Sequence, residues 1–202
     1  MSDGTPLEVG DCDESPFEQF RRWYDEAGGV MAEREAVALC TATSDARPSA
    51  RMVLLRVVDE SGFGWYSNYE SRKGRELAEN PYAALLWYCE ALGRQVRVEG
   101  KVEQVAPDES DAYFARRPRG HQLSALASHQ SEEIADRREL EGRVAELEAR
   151  FEGRDVPRPS YWGGYRLTPT RFEFWQRREN RLHDRVAYEL ERATWRRFRQ
   201  SP

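Results

Sequence analysis

The chain has 202 residues, 39% hydrophobic and 33% charged, with a formal net charge of −5 and a mean hydropathy of −0.85. Six Trp, nine Tyr and eight Phe exclude disorder throughout, and the acidic balance excludes a general nucleic-acid binder, which carries a basic footprint. No window approaches the ~20 apolar residues of a membrane span, and no signal-peptide core precedes Glu14. Cys12, Cys40 and Cys89 have neither a disulfide-scaffold count nor zinc spacing. A cytoplasmic protein with no metal site, membrane or nucleic-acid partner is expected.

Residues 1–14, rich in Asp, Glu and Gly, are expected to form a flexible arm, and residues 15–202 a single domain. Ser15-Pro16 opens a helix whose Phe17, Phe20, Trp23 and Tyr24 recur at helical spacing, ending at Gly28-Gly29. Strands follow at 36–43, 49–58 and 63–67, joined by turns at Ser44–Pro48 and Asp59–Gly62, which predicts an antiparallel meander. Ser71 caps a helix over 72–78. A strand pair spans 83–88 and 95–105, with Gly100 interrupting the second as a bulge. Helices are expected at 107–116, over a short stretch at 122–128, and most clearly at 132–151, where Leu140, Val144, Leu147 and Phe151 make one stripe. Trp162–Tyr165 reads as a turn into strands at 164–168, 171–176, 185–190 and 194–198.

These elements amount to about seven or eight mostly antiparallel strands with several helices. There is no βαβ alternation and no GxGxxG. The reading is α+β, mainly β: a closed or partly closed β-barrel with flanking helices.

Four clusters carry chemistry. Arg51-Met52-Val53-Leu54-Leu55-Arg56 is a strand with a cation at each end, whose backbone can hydrogen-bond a flat heterocycle. Ser71-Arg72-Lys73-Gly74 places two cations and free N–H groups at a helix start, a phosphate site, with Tyr66 and Ser67 just upstream. Tyr113 and Arg117 are four apart, on one helix face, and suggest a second anion site; Gln130-Ser131 offer further donors. Finally, if the strand containing Trp175 persists or resumes, Arg181, His183 and Arg185 share one face, suited to an anionic, planar ligand. The bland alternatives are a charged edge strand, a basic helix start and a solvated helix end. Templates for Ser hydrolases, zinc proteases and P-loop enzymes are missing. Two phosphate-like sites beside an aromatic/Arg/His cluster fit one phosphorylated flat cofactor and one phosphorylated substrate.

RMVLL, YSNYESRKGREL, GRQVRVEGKVE, SDAYFARRPRG, PRPSYWGGYR and EFWQ…NRLHDR occur in that order, and together resemble the pyridoxine/pyridoxamine 5′-phosphate oxidases over residues 15–202. The resemblance implies an FMN-binding split β-barrel, acting as a homodimer with its flavins at the interface. It implies FMN contacts from Arg51 to Arg56, from Tyr66, Ser67, Arg72 and Lys73, and from Gln95, Gln130, Ser131, Trp175 and Arg185, partly across subunits. It assigns Tyr113 and Arg117 to the substrate phosphate, with Arg56 and His121 also lining the substrate side. Arg181 and His183 are the pair over the substrate's pyridine ring. The implied reaction oxidises pyridoxamine or pyridoxine 5′-phosphate to pyridoxal 5′-phosphate, with O2 as acceptor and H2O2 released.

The chain departs from the family's usual pattern at Arg56 (Lys), His121 (Ser), Ser124 and Leu126 (Gly and Trp), and Arg177-Arg178 (a small, Gly-containing pair). These changes fall mostly on the substrate side. A phenazine-biosynthesis flavin oxidase is therefore an alternative expectation, as is a non-catalytic flavin- or pyridoxal-phosphate-binding protein.

Overall fold

The computed structural model describes residues 6–202. The first seven strands are β1 (Ala36–Ala42), β2 (Pro48–Leu54), β3 (Val57–Asp59), β4 (Gly62–Asn68), β5 (Tyr82–Cys89), β6 (Arg94–Gln104) and β7 (Trp162–Gln176). They lie in the order β2-β1-β5-β6-β7-β4-β3, every pair antiparallel, and β8 (Asp184–Glu191) and β9 (Thr194–Arg199) extend from β7. β2 and β3 are at opposite ends of this order, yet only Leu55 and Arg56 separate them in the chain. Three Cα steps span at most about 11 Å, so the sheet has to curl until its ends meet. The Arg56 N–H donates to the Gly64 carbonyl at 2.8 Å where it does.

β7 is where the barrel splits. Its first half pairs with β4 and its second half with β8, while β6 accompanies both halves. The β6–β7 register slips between Glu99 and Gly100, the bulge expected at Gly100. A Cβ at Gly100 would sit 2.1 Å from the Thr168 carbonyl oxygen, so only glycine permits that approach. The strands expected separately at 164–168 and 171–176 are consequently one bent strand.

Among the described residues five α-helices cover the barrel: α1 (Pro16–Glu26), α2 (Arg72–Glu79), α3 (Pro107–Ala115), α4 (Arg119–Ala127) and α5 (Arg137–Arg150). The Ser15 hydroxyl caps α1, and Phe17, Phe20 and Trp23 point inward. They meet Phe172, Phe63 and Phe174 edge-on at 5.3, 5.0 and 5.3 Å, closing the main core. A smaller core forms where Phe114, Leu123, Val156 and Trp162 receive Val144 and Leu147 of α5 and Phe151 at its C-cap. These are three of the four residues expected as a stripe, Leu140 lying outside the cluster. No helix among the described residues is long and apolar enough to cross a membrane.

Four expectations are corrected. The strand expected at 49–58 breaks at Leu55-Arg56, where the chain crosses the barrel seam. Gly163 and Gly164 lie inside β7 rather than in a turn; a Cβ on Gly163 would strike the Tyr69 hydroxyl at 2.1 Å. α5 begins at Arg137 because the Asp136 carboxylate caps it, accepting the Glu139 N–H at 3.1 Å. Residues 6–14 of the expected flexible arm are docked: Leu7 and Cys12 are buried, and the Tyr188 hydroxyl donates to the Asp13 carbonyl at 2.7 Å. Residues 1–5 lie outside the described residues.

Two glycines should respond oppositely to alanine. Gly100→Ala forces a Cβ against backbone and should cost about 1–3 kcal/mol in urea unfolding, the range for overpacking. Gly142 sits in α5 with nothing within 4 Å of its Cβ position, so Gly142→Ala should stabilise by up to about 1 kcal/mol. Equal effects at both sites would contradict the packing described.

Candidate functional site

α2 begins directly after β4, and this junction builds one end of a cavity of about 690 Å³. The Ser71 hydroxyl caps α2 by accepting the Gly74 N–H and in turn donates to the Asn68 carbonyl at 2.7 Å. Lys73 is thereby turned inward and buried. Its Nζ lies 3.0 Å from Ser67 Oγ, 3.1 Å from Ser71 Oγ and 2.6 Å from Gln130 Oε1. None of these is anionic, and no carboxylate pairs with this ammonium among the described residues. Burial pushes its pKa down to about 8, with Arg51 adding repulsion and Glu76 partly offsetting it.

Glu76 is the residue that sequence reasoning missed. It is buried on the α2 face toward β1 and β2, where its Oε1 accepts from Arg72 Nε at 2.9 Å. Oε2 accepts from Ser49 Oγ at 2.6 Å, from Arg51 Nη2 at 3.2 Å and from the Thr41 hydroxyl. Burial alone would raise its carboxyl, but these hydrogen bonds outweigh that and hold it down at about 2. Its i+4 spacing from Arg72 was the available signal. Glu76 thus locks the two arginines in place at the phosphate-like end.

The opposite wall is aromatic. Tyr66 and Tyr113 stack face to face at 3.7 Å and 4°, with Trp162 stacked 5.7 Å from Tyr66. The Arg117 guanidinium lies 4.5 Å over Trp162, and its Nη1 is buried without a hydrogen-bond partner. A buried unsatisfied cationic donor is costly unless a ligand completes it. The Tyr66 hydroxyl donates to Glu109 Oε1 at 3.3 Å; burial and that carboxylate push the phenol up to about 12, so it stays protonated. Met52, Val53, Leu54 and Arg56 from the strand, and His121, Ser124 and Gln130 from α4 and beyond, complete the lining.

Of the residues expected in the site, Met52, Val53, Leu54, Arg56, Tyr66, Ser67, Lys73, Tyr113, Arg117, His121 and Gln130 therefore share one cavity. Arg51 and Arg72 reach its phosphate-like end through Glu76, while Leu55 is buried in the core. Ser131 is exposed and holds a left-handed φ of 77°.

Gln95, Trp175, Arg181, His183 and Arg185 do not line this cavity. Gln95, Trp175 and Arg185 are register partners, forming one row across the outer face of β6, β7 and β8. Below that row Glu173 Oε2 accepts from Arg97 at 2.8 Å and from Arg185 at 2.6 Å. The extended run expected from Arg181 to Arg185 is not present. Residues 177–183 form a loop in which Asn180 and Arg181 hold φ of 52° and 63°, and strand geometry resumes only at Asp184. The shared face of Arg181, His183 and Arg185 is thus replaced by a folded corner. In it the His183 ring packs 4.5 Å from Trp175.

A buried ammonium facing only hydroxyl and amide groups, two clamped arginines, an apolar strand and an aromatic wall fit a flat cofactor with a phosphate tail. Fold and cavity together define a split β-barrel flavoprotein. Residues 25–151 match the pyridoxamine 5′-phosphate oxidase family model, and residues 162–202 match the pyridoxine 5′-phosphate oxidase C-terminal dimerisation region. The chain is 58% identical over 192 residues to a pyridoxine/pyridoxamine 5′-phosphate oxidase of Rubrobacter xylanophilus, covering 95% of this chain and 88% of that one. It is 50% identical to the Nostoc punctiforme enzyme of the same name, covering 95% and 91%. Among solved structures, PhzG of Burkholderia lata, in complex with tetrahydrophenazine-1-carboxylic acid, superposes with a TM-score of 0.92 at 34% identity, covering both chains fully. A pyridoxamine 5′-phosphate oxidase-related, FMN-binding protein of Nostoc punctiforme shares the fold, with a TM-score of 0.73 at 14% identity over 93% of this chain and 98% of that one. The chain belongs to the pyridoxine/pyridoxamine 5′-phosphate oxidase family; it is an oxidoreductase with FMN as its cofactor.

Lys73 sets an expected pH dependence. With its pKa near 8 in the cofactor-free protein, it is charged at pH 7 and loses its proton as pH rises past about 8. A bound phosphate favours the charged form, so above that point binding must take up a proton. FMN affinity should therefore fall above about pH 8, by up to about tenfold per pH unit, until the pKa in the complex is passed. Fluorescence titration of the cofactor-free protein checks this; Lys73→Arg should flatten the alkaline limb, and an unchanged limb would place the titration elsewhere.

Proposed function

We propose that the protein oxidises pyridoxamine 5′-phosphate, pyridoxine 5′-phosphate or both to pyridoxal 5′-phosphate, using O2 and releasing H2O2. The single observation that carries the reading is the unsatisfied Arg117 Nη1, buried over Trp162 and beside Tyr113 in the same cavity as the Lys73 pocket. One cavity thus offers two separate anion-binding points, as a phosphorylated cofactor and a phosphorylated substrate require.

Arg51, Arg72 and Lys73, with Ser67 beside them, would hold the FMN phosphate, and the Met52–Leu54 strand would lie along the ring system. Tyr113, Arg117 and His121 would hold the substrate phosphate. Bound FMN supplies the two-electron acceptor and the site of dioxygen reduction. Arg181 and His183 would orient the pyridine ring and exclude water from its reacting carbon, with His183 offering a donor to the ring substituents. Neither is assigned as an obligatory base.

These two residues do not line the cavity and lie in the segment matching a dimerisation region. A homodimer in which the partner's 175–185 corner covers this chain's cavity reconciles the two halves. The exposed Met52, Leu54 and Tyr88 are consistent with a face that a partner covers.

A second reading, oxidation of a reduced phenazine carboxylate, is favoured by the PhzG similarity and by the bulk that Arg177-Arg178 and His121 add on the substrate side.

The deciding assay mixes the FMN-loaded protein in air with each phosphopyridine and measures peroxide and pyridoxal 5′-phosphate. A yellow protein inert toward both would overturn the primary reading, and turnover of a dihydrophenazine carboxylate would install the second. Arg117→Ala should raise KM at least about tenfold, or ~1.4 kcal/mol, with FMN retained. For the shared site, assayed at substrate well below the wild-type KM, Arg117→Ala and His183→Ala should each retain at most about a tenth of the activity, yet co-expression should restore about a quarter of it through heterodimers with one intact site. No recovery would mean that both residues serve the same chain's site.

A further inference from the structure

The loop at 177–183 is closed at its base by Asp184, which pairs with Gln176 as the last rung of the β7–β8 ladder. Asp184 is largely buried, and three groups converge on its carboxylate. Oδ2 accepts the Leu7 N–H at 3.1 Å and lies 3.5 Å from Arg178 Nε, and Oδ1 accepts from Arg199 Nη1 at 2.9 Å. The same Arg199 donates through Nη2 to the Leu7 carbonyl at 3.1 Å and to Glu8 Oε2 at 2.7 Å. Leu7 is itself buried in the main core, so this N-terminal strap is anchored at both ends of the interaction.

Arg178, held on one side by Asp184, reaches His183 on the other. Its backbone N–H donates to His183 Nδ1 at 3.1 Å, while the ring packs against Trp175. A neutral imidazole whose Nδ1 accepts must carry its hydrogen on Nε2, so this contact selects the tautomer that presents a donor. Asn180 and Arg181 hold left-handed backbone conformations without being glycine, at a cost of about 1 kcal/mol or more each, and such strain persists only where surrounding contacts over-determine it. Asp184 is the contact at the base of the loop that can supply this constraint.

We propose that Asp184 is a positioning residue for the Arg181/His183 pair, and that the N-terminal strap, through Leu7 and Arg199, acts on the substrate side of the site by way of that carboxylate. The inference rests on the substrate-side reading of Arg181 and His183 given above. It adds that residues 7–8, far from the pair in sequence, belong to the apparatus that orients the pyridine ring. A ligand or substitution that lifts the strap from β9 would release the loop without touching the flavin cavity.

The test uses FMN-loaded, full-length protein. Asp184→Asn keeps the shape and an acceptor for Leu7 but removes the charge that holds Arg178 and Arg199. Arg199→Gln leaves Asp184 and its contact with Arg178 in place while removing the Arg199 charge that joins it to the strap, and serves if Asp184→Asn fails to fold; Arg199→Lys is the conservative rescue. Nitrogen-15 spectra of the three histidines, with His183 assigned through His183→Gln, report the tautomer directly. Wild type should show an unprotonated Nδ1 at His183. Asp184→Asn should shift that signal toward a tautomer mixture and lower kcat/KM at least tenfold, with FMN affinity within twofold. Arg199→Gln should move both readouts in the same direction, and Arg199→Lys should recover most of the change. An unmoved His183 signal with unchanged kcat/KM would overturn the proposal, as would loss of FMN in parallel with activity. If no phosphopyridine is turned over but the His183 signal still shifts, the positioning role stands and the substrate reading falls.

Discussion

The closure of the sheet between Leu54 and Val57 is the constraint on which the site depends. Because two residues join opposite edges of a seven-strand path, the barrel has to curl, and the curl brings the end of β2 against β4. Every cavity element is referred to that seam. Met52 to Leu54 approach it from one side, Tyr66 and Ser67 from the other, and α2 starts at the end of β4. The fork of β7, permitted by Gly100, performs the opposite task. It releases half of the strand to carry β8 and β9 away from the barrel, and with them the His183 corner.

Charge is distributed with the same logic. The chain is acidic overall, and most of its arginines are spent on carboxylates: Arg51 and Arg72 on Glu76, Arg97 and Arg185 on Glu173, Arg171 on Glu189. Glu76 and Glu173 are buried, so the cost of desolvating these carboxylates offsets much of the attraction in their pairs. Their value here is geometric, since a guanidinium fixed by one carboxylate needs no reorganisation to meet a second anion. Lys73 and Arg117 differ from these. Lys73 is buried and Arg117 half-buried with its Nη1 out of solvent, neither has an anionic partner among the described residues, and both are in the cavity. The desolvation that these cations endure is repaid only when a ligand arrives, which makes them the sharpest markers of binding in the structure.

Much of the fold was legible because its signals are local. Apolar runs bounded by turns marked β1, β4 and β5, and alternation marked β6; Ser15 with the aromatic spacing marked α1, and Ser71 marked α2. What failed were features set at a distance. Gly163 and Gly164 resemble a turn in the sequence, but they are small because the Tyr69 hydroxyl and Tyr66 ring press against β7. The run from Phe172 to Gln176 alternates as a strand does and suggested an extended continuation to Arg185, yet Asn180 and Arg181 turn left-handed. The acidic N-terminal segment looks unstructured until Arg197 and Arg199 on β9 and Tyr188 on β8 take up its carbonyls.

By itself, then, the order of motifs along the chain determined the family, the FMN cofactor and the residue types at each candidate anion point, because these depend on short runs whose spacing a helix start or strand preserves. Tertiary structure alone decided how those runs combine. It put Glu76 between Arg51 and Arg72, left Arg117 Nη1 unsatisfied over Trp162, and set the His183 corner apart from the cavity. It also tied that corner to Leu7, across nearly the whole chain, through one carboxylate. The reason is physical: periodicity records which face a side chain takes, whereas the partner waiting on that face is set by sheet closure and burial.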